Sequence, residues 1–137
     1  ILAVGTLVQP ALEAAVLLDN EGVHATVVNC RFLKPLDETT LAAVLQRHSA
    51  IVTVEEATVV NGFGAHVVRR IEQSRARYPG MMLDVMGVPD RIIEHANRGE
   101  QLTECGLDAA GIAARVRALV QTGALESGTL KSVRETA

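Results

Sequence analysis

Two acids and a glycine loop are the residues of this 137-residue chain best placed to do chemistry. Glu55 and Glu56 end the apolar run Ile51-Val52-Thr53-Val54. Ala57 to Val60 then lead into Asn61-Gly62-Phe63-Gly64, Ala65, His66 and a stretch with helical spacing. In an open α/β sheet, the carboxyl end of a strand and the loop after it form the usual ligand crevice. Paired carboxylates divide into acid and base when their surroundings separate their pKa values. Here strand alternation sends Glu55 and Glu56 to opposite faces, so they do not readily converge on one reacting atom. The alternative is a structural hydrogen bond to the glycine loop, or an interface contact. Gly62 and Gly64, at a helix start, could aim backbone amides at an anion. Val67 stands where a dinucleotide fingerprint wants its third glycine, so the motif fails as GxGxxG. A ligand phosphate would suit such amides, and so would the chain's own Glu55 or Glu56 carboxylate. A tight turn with close helix–sheet packing is the plainer use of the same glycines.

Arg31 and Lys34 follow the second apolar run, on a strand-to-helix edge where a phosphate, a partner's carboxylate or a surface salt bridge would meet them. His24, His48, His66 and His95 never fall at metal-ligand spacing. His66, on the loop helix, is either a site residue or a half-buried helix residue bonded to nearby backbone. There is no GxSxG elbow and no Walker loop, so the residues form no self-contained catalytic apparatus.

Those residues need a scaffold, and composition bounds it. With 48% hydrophobic and 21% charged residues over 137 positions, the chain fills one compact core and is too short for two ordinary domains. A net charge of −3 and 2% aromatics give no footprint for nucleic acid. Cys30 and Cys105 lie far apart without CxxC spacing, which points to reduced thiols and a cytoplasmic setting rather than zinc or a disulfide framework. No apolar run reaches the roughly 18 residues of a membrane span. The chain begins at Ile1 with neither an initiator Met nor a charged leader, and it reads as a piece of something longer.

Short apolar runs at Ile1–Val4, Ala25–Asn29, Ala50–Glu55 and Met82–Met86 alternate with helical patterns, the signature of βαβ units and a mostly parallel sheet. The helices are expected over Pro10–Asn20, Asp37–Arg47, Ala65–Arg77 and from Asp108 to about Val120, with Asp37 and Asp108 placed as caps. Residues 1–120 are expected to form the domain. Gln121 to Ala137 has isolated apolar residues and scattered charge, and is expected to be a disordered or weakly helical tail.

The stretch VTVEE, a short loop, GFGAHV and a helix resemble the last domain of thiamine-diphosphate-dependent transketolase-like enzymes. Asn29–Asp37 (NCRFLKPLD) is similar to the RF(V/L)KPLD segment of the 1-deoxy-D-xylulose-5-phosphate synthase family. Gly87–His95 is similar to its GLPDxFIEHG segment and Glu104–Ile112 to its ELGLDAxGI segment. The likeness runs from Ile1 to about Val120. Departures are small: Ala96 replaces a glycine, and Asn61 takes the first of the usual loop glycines. The β subunits of thiamine-dependent 2-oxoacid dehydrogenases share part of this pattern but carry a different segment after the last strand. They are one alternative; a free-standing flavodoxin-like module that binds a phosphate or small molecule is the other.

The resemblance implies a three-layer α/β/α sandwich in which this chain supplies about four parallel strands. The family's antiparallel strand would come from residues before Ile1, leaving an exposed sheet edge. It implies the C-terminal domain of an enzyme that condenses pyruvate with glyceraldehyde 3-phosphate, with loss of carbon dioxide, for isoprenoid, thiamine and pyridoxal synthesis. Thiamine diphosphate and magnesium serve the full enzyme. Their GDG-and-asparagine motif is missing from these residues, so neither is expected on this piece. The domain would support the cofactor-binding domains of the same chain and help a homodimer assemble. Arg31, Glu55, Glu56, Asn61, Gly62, Gly64 and His66 would then be a loop-and-edge constellation facing the partner domain or subunit, with no catalytic residue among them.

Overall fold

The computed structural model describes residues 1–134, with side chains described through residue 123. Strands β1 (Leu2–Ala3), β2 (Val28–Asn29), β3 (Ala50–Thr58) and β4 (Met82–Val88) form one parallel sheet in the order β2-β1-β3-β4. Leu2 stands opposite both Val28 and Thr53 in the register. Parallel neighbours need crossovers. These are α1 (Val8–Asp19), α2 (Glu38–Leu45) and α3 (Phe63–Glu72), while α4 (Arg98–Glu104) and α5 (Ala109–Arg134) follow β4.

Alternation along the strands divides the core into two layers. Ala3, Val52, Val54 and Met86 meet Ala11, Ala14 and Leu18 of α1, together with Ile112, Ala113 and Val116 of α5. Leu2 and Ile51 face the other way, onto Leu41 and Leu45 of α2 and Val67 and Ile71 of α3. Each large side chain so buried is worth about 1.5–3 kcal/mol. The result is the three-layer α/β/α sandwich expected, with four parallel strands. At the outer edge, β4 carries Asp84 bonded to Arg115 of α5, a charge that discourages further strand pairing.

Helix boundaries follow local chemistry where local chemistry exists. Asp37 caps α2, its carboxylate accepting from the Thr40 amide at 2.9 Å, and Asp108 accepts from the Gly111 amide at 2.8 Å. Helix α1 starts at Val8, earlier than Pro10, because a 3-10 turn (Gly5–Leu7) leads into it. Pro10 sits in the first turn, where no amide donor is needed. Helix α3 differs more. It begins at Phe63, two residues before the expected Ala65, and stops at Glu72 instead of Arg77, the remainder being a separate 3-10 turn, Arg75–Arg77. Beyond Ile71 the next core-facing positions are Ser74 and Arg75, which have nothing apolar to bury. Helix α4 was not anticipated at all. Its backbone signature is nonetheless in the sequence: Asn97 and Glu100 form a reciprocal capping box. Helix α5 runs past Val120 to Arg134, and residues 135–137 of the expected tail lie outside the described residues.

Helix α3 approaches the sheet closely at Gly64. A methyl group there would meet the buried Thr53 hydroxyl and sit 2.5 Å from a Val85 methyl. Gly64→Ala is therefore expected to cost about 1–3 kcal/mol through overpacking, read as a lower urea-unfolding midpoint with an unchanged slope.

Candidate functional site

Helix α3 has no side-chain cap from its own N-cap residue, Gly62. Glu55, on β3, caps it instead: one carboxylate oxygen accepts the Phe63 amide at 2.8 Å and the other accepts the Gly64 amide at 2.7 Å. Glu55 is 3% exposed. Burial of such a group requires compensation. Here the compensation is two free amides and the positive end of a helix dipole. The approach is so close that a Cβ on Gly62 would lie 2.6 Å from both Glu55 oxygens and 2.5 Å from the Thr58 carbonyl oxygen. Asn61 completes the turn with φ +60°, the left-handed conformation that a glycine would take and that asparagine tolerates best among other residues.

Of the two occupants open to the loop amides, the structure therefore shows Glu55. The Phe63 and Gly64 donors have no capacity left for a diphosphate, so this loop does not fit one. Among the described residues, no three or more His, Cys, Asp or Glu side chains converge as a metal-holding group.

Glu56 points to the opposite face, as alternation requires, and enters a different contact. Arg98 grips it with two bonds, at 2.8 and 2.5 Å, and the Thr6 hydroxyl donates to it at 2.5 Å. Arg98 opens α4 and Thr6 lies in the turn after β1. The three residues thus clasp the loops across β1 and β3, where the strand order reverses. Hydrogen bonding from Arg98 and then Thr6 holds the Glu56 carboxyl below its ordinary range, and Glu56 in turn raises Arg98.

The other expected residues scatter along the same edge. Arg31 and Lys34 are exposed on the loop after β2, Arg31 at the rim of a groove of about 220 Å³. His66 is exposed on α3 rather than half-buried, and its backbone amide donates to Gly62 at 3.2 Å. Glu55, Asn61, Gly62 and Gly64 form one unit. Glu56 forms a second, with Thr6 and Arg98, neither of which sequence reasoning singled out. The Asn97–Glu100 capping pattern could have placed Arg98 at a helix start, but nothing local pairs it with a residue 42 positions away.

Replacing Glu55 with glutamine turns one acceptor into a donor that faces a backbone donor. Glu55→Gln is expected to destabilise the chain by about 1–3 kcal/mol, measured by chemical denaturation. For the Glu56 clasp, the folded-state pKa is depressed. Its stabilising effect is therefore complete above the ordinary value of 4.5 and is lost as pH falls through the lower folded value. The stability gap between the wild type and Glu56→Gln should hold steady from about pH 7 to about pH 5 and close on further acidification. A gap that persists in acid would show that something other than the ion pair supports it.

Comparison with known proteins adds family context to this geometry. The family described as Transketolase, C-terminal domain, matches residues 1–112. Among curated relatives, 1-deoxy-D-xylulose-5-phosphate synthase of Synechococcus sp. (strain JA-2-3B'a(2-13)) is 43% identical over 92% of this chain. The protein of that name from Syntrophus aciditrophicus (strain SB) is 42% identical over 90% of it. This chain spans only 19% of each of those relatives. A solved structure titled "Split gene transketolase, inactive beta4 tetramer" superposes with a TM-score of 0.75 at 30% identity, covering 88% of this chain and 38% of that one. With the fold and this match in agreement, the chain belongs to the transketolase C-terminal domain family.

Proposed function

We propose that this chain is the C-terminal assembly domain of a 1-deoxy-D-xylulose-5-phosphate synthase. That enzyme joins pyruvate to glyceraldehyde 3-phosphate with release of carbon dioxide, in a cytoplasmic, bacterial-type setting. The observation that carries the reading is the state of the loop at the end of β3. Its amides, the natural anion seat of such a domain, are filled by Glu55, so the loop serves architecture. The identity to synthases over about nine-tenths of the chain supports the particular enzyme. Thiamine diphosphate and magnesium would be held by other domains of the full-length polypeptide.

In this reading residues 1–120 are the domain proper, and residues 121–137 are its C-terminal tail. Arg31, Glu56, Asn61 and His66 face a neighbouring domain or subunit of a homodimer. Glu55, Gly62 and Gly64 hold the loop beneath them in shape.

The test is to express the complete reading frame that contains these residues. The polypeptide should be several times larger than 14.6 kDa, and it should release carbon dioxide from pyruvate only when glyceraldehyde 3-phosphate and thiamine diphosphate are both supplied. In that enzyme Glu56→Gln should weaken dimerisation by about tenfold, close to 1.4 kcal/mol, and leave turnover of the assembled fraction nearly unchanged. A variant that dimerises normally but has lost turnover would overturn the assembly role. A purified polypeptide of the fragment's own size would overturn the synthase reading.

A further inference from the structure

Strand β4 ends the sheet, and no strand lies beyond it among the described residues. A groove of about 670 Å³, bounded by Val68 and Glu72 of α3 and by Leu119 and Thr122 of α5, leads onto residues 82–85. Backbone alternation decides which groups look outward. The Met82 amide donates to Ser49 and the Val88 carbonyl accepts from Val59, so the even-numbered residues of β4 face β3. Leu83, Val85 and Gly87 therefore direct their amides and carbonyls away from the sheet.

Such an edge invites another strand. From Met81 to Val88 the sequence reads MMLDVMGV, apolar and free of proline, with Asp84 as its single charge. Without that aspartate the segment has the composition of an aggregation-prone strand. The opposite edge is a smaller hazard, because β2 is two residues long and too short to template a ladder.

Asp84 contributes more than charge. Its Oδ1 accepts the Val85 amide at 2.9 Å, so the middle one of the three outward donors is already occupied. Arg115 of α5 holds the carboxylate in that position, with Nη2 donating to Oδ1 at 3.1 Å and Nε donating to Oδ2. An incoming strand has to offer a carbonyl oxygen to the Val85 amide. It would meet an anionic oxygen bonded there first, and the two oxygens repel. The other outward amides, of Leu83 and Gly87, lie about 7 Å to either side, so no continuous ladder runs through the centre of the edge.

We infer that Asp84 is a built-in seal on β4. By occupying the outward Val85 amide and fixing a charge at that point, with Arg115 as its anchor, it closes the strand to any further extended segment. The seal goes beyond the assembly reading above and does not depend on which reaction the complete polypeptide catalyses. It differs from a plain tether between α5 and the sheet, which would need only the ion pair and would be indifferent to the Val85 amide.

The test follows light scattering of the complete polypeptide held somewhat below its melting temperature, with infrared amide bands to detect intermolecular sheet. Asp84→Ala should aggregate about tenfold faster than the wild type or more, with a gain of intermolecular sheet. Arg115→Gln loses the same ion pair but leaves a carboxylate on the Val85 amide, and should stay within about twofold of the wild type. Adding Val85→Pro to Asp84→Ala should return the rate toward the wild type, because proline has no outward amide to offer and the bonds to β3 do not use that amide. If Asp84→Ala does not fold, Asp84→Thr, whose side chain favours a strand, carries the same comparisons. An Asp84 variant no faster than the wild type would overturn the seal. So would Arg115→Gln aggregating as fast as the Asp84 variant, or a proline that brings no recovery, since either outcome marks simple loss of the tether. The synthase reading is untouched by all of these, being judged by the activity of the complete enzyme.

Discussion

A carboxylate cannot be buried without donors, and the fold around β3 is organised by that demand. Glu55 is enclosed on the α2/α3 side of the sheet, and the donors that satisfy it are the first free amides of α3. The bond fixes where α3 begins, and it brings the helix so near the strand that Gly62 and Gly64 have no room for a side chain. Behind it, Val67 and Ile71 of the same helix pack in one cluster with Leu2 and Ile51. Glu56, one residue on, has the opposite environment and the opposite partners, although the two acids are adjacent and chemically identical. Strand alternation accounts for the difference.

The two acids divide the labour of the carboxyl edge. Glu55 works inward, holding one strand to one helix through contacts eight and nine residues apart. Glu56 works outward, tying the β1 turn and α4 to the end of β3 through partners 50 and 42 residues away. The first contact makes a rigid floor, and the second draws the loops into one continuous surface on it. Both acids are thus satisfied within the chain.

Much of this was legible in the sequence, for identifiable reasons. The strands announce themselves through β-branched runs, and the caps of α2 and α5 through Asp37 and Asp108, because both signals are local. The opposite facing of Glu55 and Glu56 follows from period two alone. That a chain carboxylate suits the loop amides was also visible, though the sequence did not choose between the two acids. The start of α3 was misplaced because its cap comes from a strand and not from its own first turn. Arg98 and Thr6 were missed because their link to Glu56 exists only after the strands have paired. Helix α4 was a different failure: Asn97 and Glu100 carry the capping pattern, but the helix they open has no fully buried side chain to produce an apolar period.

The span of the Glu55 contact bears on the order in which the chain assembles. Closing a loop of eight or nine residues is fast and carries a small entropic penalty. An isolated ten-residue helix is marginal in water. With Glu55 at its head and Val67 and Ile71 against the strand, however, α3 gains both a nucleus and a surface from its immediate neighbours in the chain. The β3–α3 segment is thus a unit of low contact order, whose closing contacts do not depend on the pairing of β1 with β2.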